Sequence, residues 1–230
     1  MARPVERLLS TVEIVERLHS HHRRLIRNSL QALTLYEAWS ALNTSSTERN
    51  ALVNSPVSKS VGVMWQATQD SLVLCLMRLF DSPGRSLHGS NRMSFVVFRK
   101  LLEEVGVLDM LVGDARSKVD SSRKNDAERG VIEAAISLRA RLDNLNIEVP
   151  NRLRRLRDIR DRFLAHNLDE LQPVEPPIYE NLRTLTDIVL LLAEDATRVL
   201  QPTIIEWPKG QVSYHTHRLI AVVAEKFPAQ

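Results

Sequence analysis

From Val57 to Asp81 the chain carries Val61, Trp65, Thr68, Leu72, Leu76 and Leu79 at intervals of three or four, the repeat of one helical face. Val73, Leu74, Met77 and Phe80 add apolar surface to the other sides, and a helix that is greasy all round has to be enclosed by others. This helix is therefore expected at the centre of a core, with Gln69, Asp70, Arg78 and Asp81 as its polar exceptions. The composition agrees with a helical surrounding. Seven glycines and 5% aromatic residues in 230 are few for a sheet protein, whose hairpins and strands use both. The expected fold class is all-α, a bundle of about five to seven helices with an irregular C-terminal tail. The helical domain is expected over residues 1–200 and the tail over residues 201–230.

In chain order, residues from about Pro4 to Leu42 predict one long helix or two abutting ones, with Leu8, Val12, Val15, Leu18, Leu25, Leu30 and Leu33 inward. His19, His21 and His22 stand on it beside Arg23 and Arg24, and only His19 and His22 have the spacing to share a face. With no acidic or thiol ligand near, the group reads as a solvated basic face ahead of a metal site. The Ser, Thr and Asn cluster from Asn43 to Asn54 ends the helix. Ser94 predicts an N-cap for a helix over Phe95 to Val105, and Gly106 suits its end. Gly113 to Asn125 is polar and is expected as an exposed connector, or a substrate-contacting loop.

Further helices are expected over Asp126 to Leu145, with Val131, Ala134, Ala135, Leu138 and Leu142 inward, and over Tyr179 to Leu200, with Leu182, Leu185, Val189, Leu192 and Ala196 inward. The tail permits a short strand or helix, and His215 and His217 would share one side of a strand.

Between these two helices lies the stretch with the most chemical content, Pro150 to Leu168, PNRLRRLRDIRDRFLAHNL. Pro150 suits a first helical turn. At about 100° per residue from Leu156, Leu153, Ile159 and Phe163 all fall within about 60°, and Arg160 lies inside that stripe at about 40°. His166 falls on the flank at about −80°, while Asp161 at about 140° faces away. A guanidinium inside an apolar face must find an acceptor, since leaving it buried and unpaired would cost several kcal/mol. Asp70 or Asp81 could receive hydrogen bonds from Arg160 or Arg162 if the two helices pack together; equally, Asp81 is a helix-end residue before the Ser82-Pro83-Gly84 turn.

Arg160, Asp161 and His166, with five residues between the arginine and the histidine, resemble the active-site motif of the HEPN superfamily. Paired with the earlier helix end Arg78-Leu79-Phe80-Asp81, the RDRFLAH helix resembles the AbiU-type abortive-infection branch, over most of the chain to about Leu200. The resemblance implies a metal-independent endoribonuclease, a toxin or phage-defence effector, that leaves a 2′,3′-cyclic phosphate. Arg160 and His166 would be catalytic, with Asp161, Arg162 and Asp81 in support, and no cofactor is implied. Imidazole titrates near neutral pH and suits proton transfer, and arginine suits a scissile phosphate. One motif supplies a single histidine, so the resemblance also implies a homodimer in which two motifs share a cleft. Implied partners are RNA and an antitoxin or immunity component. The opposing reading is a non-catalytic RNA-binding or protein-interaction scaffold, with Arg160 as a core ion-pair residue and His166 favoured by the helix dipole.

The remaining features exclude more than they assign. A net charge of +3, from 31 basic and 28 acidic residues, permits RNA binding without demanding it. The lone Cys75 sits in an apolar run, so no disulfide framework forms within the chain, and a buried, inert thiol is expected. No phosphate-cradling glycine loop, G-x-S-x-G elbow, H-E-x-x-H pair or internal repeat occurs. Charged residues Glu6, Arg7, Glu13, Glu16 and Arg17 interrupt the N-terminal segment, and the apolar runs Ser71 to Phe80 and Ile188 to Ala193 are too short to span a bilayer. A cytoplasmic protein without membrane contact is expected.

Overall fold

The computed structural model describes residues 8–43, 56–83, 87–88, 94–148, 153–154, 156–158, 161, 179–201 and 205–226. Its α-helices are α1 (Thr11–Asn43), α2 (Ser58–Phe80), α3 (Phe95–Leu102), α4 (Val107–Ser117), α5 (Lys124–Glu148), α6 (Tyr179–Leu200) and α7 (Gln211–Lys226), with a 3-10 turn at Ser121–Arg123. No strand occurs among the described residues. The expected all-α bundle is what forms.

The spine is α1, one unbroken helix of 33 residues and about 50 Å. It begins at Thr11 because Ser10 and Glu13 close a capping box: Glu13 Oε2 accepts from the Ser10 backbone N at 2.8 Å, and Ser10 Oγ accepts from Glu13 N at 3.3 Å. Helices α2, α6, α7, α3 and α4 all pack against it. Its buried face runs through Ile14, Leu18, His21, His22, Leu25, Ser29, Ala32, Leu33, Glu37 and Trp39. Leu18, Leu25 and Leu33 are inward as expected, whereas Leu8, Val12 and Leu30 are exposed. The expected solvated histidine face is corrected too, since His21 and His22 are both buried. Helices pack on both sides of α1, so its buried arc is wider than the stripe that apolar residues alone mark.

The C-terminal half of α2 lies at the core, as its pattern predicts: Leu72, Val73, Leu76, Met77 and Leu79 are fully buried. Its first turns do not, and Val63 and Met64 are exposed there. Cys75 is buried, its Sγ 3.3 Å from the carbonyl O of Asn28 on α1. Further along, Trp39 Nε1 donates to Gln69 Oε1 at 3.2 Å, which fixes the antiparallel register of the two helices.

Ser94 caps α3 as expected, its Oγ accepting from Val97 N at 3.1 Å and donating to the Asp81 carbonyl. The helix stops at Leu102, three residues earlier than its apolar run suggests. Gly106, at φ 77°, instead precedes a new helix, a backbone conformation that favours glycine. That helix, α4, corrects the reading of Gly113 to Asn125 as a connector. Val107 and Leu111 are buried, and Val112 and Ala115 pack on the core, so helical spacing carries through Gly113 to Ser117.

Helices α5 and α6 lie side by side with the expected faces inward, Val131, Ala134, Leu138 and Leu142 against Leu182, Leu185, Val189, Leu192 and Ala196. The buried Asp195 carboxylate between them accepts from Ser137 Oγ at 2.7 Å and Arg141 Nε at 2.9 Å. After an irregular passage the tail forms a helix, α7, rather than a strand. His215 and His217 are therefore about 200° apart, and both are exposed. Buried Glu37 receives the N-terminus of α7, accepting from the backbone N of Gly210 at 2.5 Å, Val212 at 3.0 Å and Ser213 at 3.3 Å. Trp207 Nε1 adds a bond to Glu194 Oε1 at 2.8 Å. No helix among the described residues is long and apolar enough to cross a membrane.

Candidate functional site

Leu153 and Arg157, from the stretch singled out in the sequence, sit beside the end of α2. Leu153 and Leu156, three residues apart and so on one face, are both buried, at 6% and 1% exposure. Arg154, Arg157, Asp158 and Asp161 are helical and exposed. This is the one-sided docking that the periodicity predicts: leucines hold the helix down and a polar side faces out.

A small cavity of about 130 Å³ lies beneath it, bordered by Phe80, Ser82, Val96, Leu145, Leu153 and Arg157 among others. Phe80 and Ser82 flank Asp81, so the RLFD end of α2 and the start of the motif helix meet at one corner of the bundle. Asp81 leaves the helix in an extended conformation (φ −63°, ψ 139°) and is half-buried, and its carbonyl accepts from Ser94 Oγ. Arg99 borders the same cavity but is engaged, donating to Glu103 Oε1 at 2.8 Å and Asp143 Oδ1 at 2.6 Å. Those hydrogen bonds hold its guanidinium still more firmly protonated. Beyond Arg99, a wider groove of about 490 Å³ opens between α3, α4 and α5.

Of the residues expected to carry or support chemistry, Asp161 is on the exposed side of the motif helix and Asp81 at the α2 terminus. Arg160, Arg162 and His166 lie outside the described residues. Arg157, one turn before Arg160, was not singled out from the sequence, although the same helical spacing places it near the cavity mouth.

A second polar cluster, also missed, joins α1 to the residues after α2. Arg17 Nε donates to His21 Nε2 at 3.4 Å and Arg17 Nη1 donates to the His88 carbonyl, while His88 Nε2 lies 3.7 Å from Glu104 Oε1. Since Nε2 of His21 accepts, the ring proton sits on Nδ1, which is buried without a partner. Burial, with the charges of Arg17 and Arg24, pushes the His21 imidazole down to about 4, so it is neutral at pH 7. His22 is also pushed down by burial. Its Nε2 is 2.8 Å from Thr197 Oγ1, and that hydroxyl donates to the Ala193 carbonyl, so the imidazole must be the donor. His22 ties α1 to α6, whereas His21 bonds within α1 to Arg17; a ring held neutral and enclosed is poorly suited to proton shuttling at a surface.

An all-helical bundle in which Leu153 and Leu156 of the motif stretch are buried beside the RLFD corner agrees with the HEPN-type resemblance. The family model HEPN_AbiU2, described as AbiU2, matches residues 8–201. The chain belongs to this family of abortive-infection-related HEPN domains. No curated protein and no solved structure matches it. Helix α7 lies beyond the matched residues.

Proposed function

We propose that this protein is a metal-independent endoribonuclease acting as a toxin or phage-defence effector, with Arg160 and His166 as its catalytic residues. The observation that carries the reading is the anchoring of the motif helix by Leu153 and Leu156, which leaves Arg157, Asp158 and Asp161 outward in a chain of an abortive-infection family. A helix held on one side by leucines can present a polar edge to a phosphodiester without unravelling.

In this mechanism the 2′-hydroxyl attacks the adjacent phosphorus, a base takes its proton, the bond to the 5′-oxygen breaks, and an acid returns a proton to that oxygen. The products are a 2′,3′-cyclic phosphate and a 5′-hydroxyl. Arg160 grips the phosphate and offsets the charge that develops on it. His166 transfers protons, and a homodimer facing two motifs into one cleft supplies both the acid and the base. Asp161, Arg162 and Asp81 orient these groups. RNA is the substrate, and an antitoxin or immunity component is the partner that restrains it.

The test is incubation of the purified full chain with RNA in chelator. Cleavage leaving cyclic-phosphate ends, lost in His166→Ala while the circular-dichroism spectrum is kept, is the expected result. Cleavage indifferent to His166→Ala, or no cleavage from a folded dimer, overturns the reading in favour of a non-catalytic scaffold.

A further inference from the structure

The positive charge of the chain is concentrated in one stretch. Between Pro150 and Leu168 stand six arginines and two aspartates, a net charge of +4 in a chain whose total is +3. The remainder is close to neutral, so a polyanion is drawn to this stretch more than to any average surface.

Two of these arginines, Arg154 and Arg157, are exposed, and neither has a hydrogen-bond or ion-pair partner among the described residues. Taking Leu156 as zero, Arg157 lies at about 100°, on the flank beside Leu153 at about 60°, and Arg154 points outward at about 160°. The two aspartates, Asp161 at about 140° and Asp158 at about 200°, share that outward side. Arg157 is thus the one that turns toward the body of the bundle, and there it borders the cavity of about 130 Å³ beside the end of α2.

The polar border of that cavity consists of Arg157, Arg99 and Ser82, and the rest is phenylalanine, valine and leucine. No carboxylate-bearing residue is on this border among the described residues. Glu103 and Asp143 hold Arg99 by Nε and Nη1, which fixes its position and leaves three of its five N–H groups. Its side chain is 21% exposed, so the cation is within reach of a ligand. Two guanidinium groups and a hydroxyl offer many donors and one acceptor. A phosphodiester, whose charged oxygens only accept, matches that set; a neutral base, which also donates, matches it less well.

Arg157 precedes Arg160 by three residues, a length of chain that spans at most about 11 Å. A phosphate bound by Arg157 is therefore close in the strand to the one that Arg160 would grip. We propose that Arg157, with Arg99 and Ser82, forms a subsite for an RNA phosphate neighbouring the one that is cleaved. The inference rests on the proposed function for its substrate class. Arg157 binds the strand and takes no part in bond breaking, while Arg154 extends the attraction outward.

The test is fluorescence anisotropy of full-length protein with a labelled single-stranded RNA, in a His166→Ala background so that the probe stays intact. Arg157→Ala is expected to raise Kd at least about fivefold and to flatten the log–log salt dependence by about 0.7, the share of one phosphate contact. Arg157→Lys, which keeps the charge, should recover part of the affinity. Arg198→Ala, the same change of charge at an exposed site on α6, should leave Kd within about twofold. Unchanged binding by a folded Arg157→Ala protein, or an equal loss in Arg198→Ala, overturns the proposal. The Arg157 dependence should persist with a strand of abasic linkers; its disappearance there overturns the phosphate in favour of a base. Arg157-dependent sedimentation with anionic lipid vesicles, without RNA binding, overturns it in favour of a lipid headgroup. Cleavage reports separately, in the protein with His166 intact: Arg157→Ala should raise KM and leave kcat within about twofold. Arg157-dependent binding in a protein that never cleaves RNA sinks only the nuclease reading, and cleavage with an unaltered KM in Arg157→Ala sinks only the subsite.

Discussion

The attachment of α7 to the bundle depends on one carboxylate, and Glu37→Ala should release it. Three backbone N–H groups at the start of α7 converge on Glu37, at 2.5, 3.0 and 3.3 Å, and the side chain is buried. Hydrogen bonds to an ionised group each contribute about 1.5–3 kcal/mol, but the freed N–H groups can turn to water at this partly open helix start, so the sum overstates the loss. Losing a helix N-cap costs about 0.5–2 kcal/mol, and the interaction of the charge with the helix dipole adds about 0.3–1 kcal/mol. A net loss of about 1–3 kcal/mol in docking follows, which raises the undocked population about five- to a hundred-and-fiftyfold. Glu37→Gln keeps an oxygen acceptor and should lose about half as much.

Once undocked, α7 is a 16-residue segment rich in weak helix formers such as Val212, Ser213, Thr216 and Ile220 and without the packing that supplies most helical stability, so its amides should exchange. Hydrogen-exchange mass spectrometry of peptides covering residues 205–226 should show faster exchange in Glu37→Ala, while peptides covering residues 72–80 keep their protection. Unchanged exchange over residues 211–222, or equal acceleration in α2, would refute the reasoning that a local carboxylate cap holds this helix.

Two further outcomes follow from buried polar groups. The folded-state pKa of His21 is depressed to about 4 from its ordinary 6.5, so below pH 6.5 the unfolded chain binds the proton more readily than the folded one; stability is therefore complete above pH 6.5 and falls as pH drops toward 4, and His21→Gln should flatten that part of a urea-midpoint-against-pH curve. His22 contributes in the same direction, so some slope should persist in the single variant. Ser94→Ala should lower stability by about 1 kcal/mol by removing both the cap on Val97 N and the bond to the Asp81 carbonyl, measured by urea denaturation; a loss indistinguishable from zero would show that water replaces the hydroxyl at both atoms.

Where apolar side chains repeat at helical spacing and meet a neighbour that repeats likewise, the sequence was sufficient. Leu182, Leu185, Val189, Leu192 and Ala196 are all buried as their spacing predicts, as are Leu153 and Leu156 of the motif helix. The motif itself was legible because an RDR-x-x-AH pattern following an RLFD helix end depends on residue types and order, which one sequence states in full. Arg157 was passed over because a charged residue on a basic helix carries no period of its own. Helix α4 was missed for a related reason: Gly113 and the polar run after it read as a connector, and only packing of Leu111 and Ala115 on the core shows helical spacing prevailing.

Local pattern thus determined which stretches became helices and which of their apolar faces turned inward, because the 3.6-residue repeat is a property of the chain. Tertiary structure decided the fate of the polar groups. His22 is buried because Thr197, 175 residues later, offers it an acceptor, and Glu37 is buried because a helix start arrives to use it. Nothing near either residue in the chain announces that partner. Burying a polar group depends on a complementary group being brought up by the fold, and only the assembled bundle supplies it.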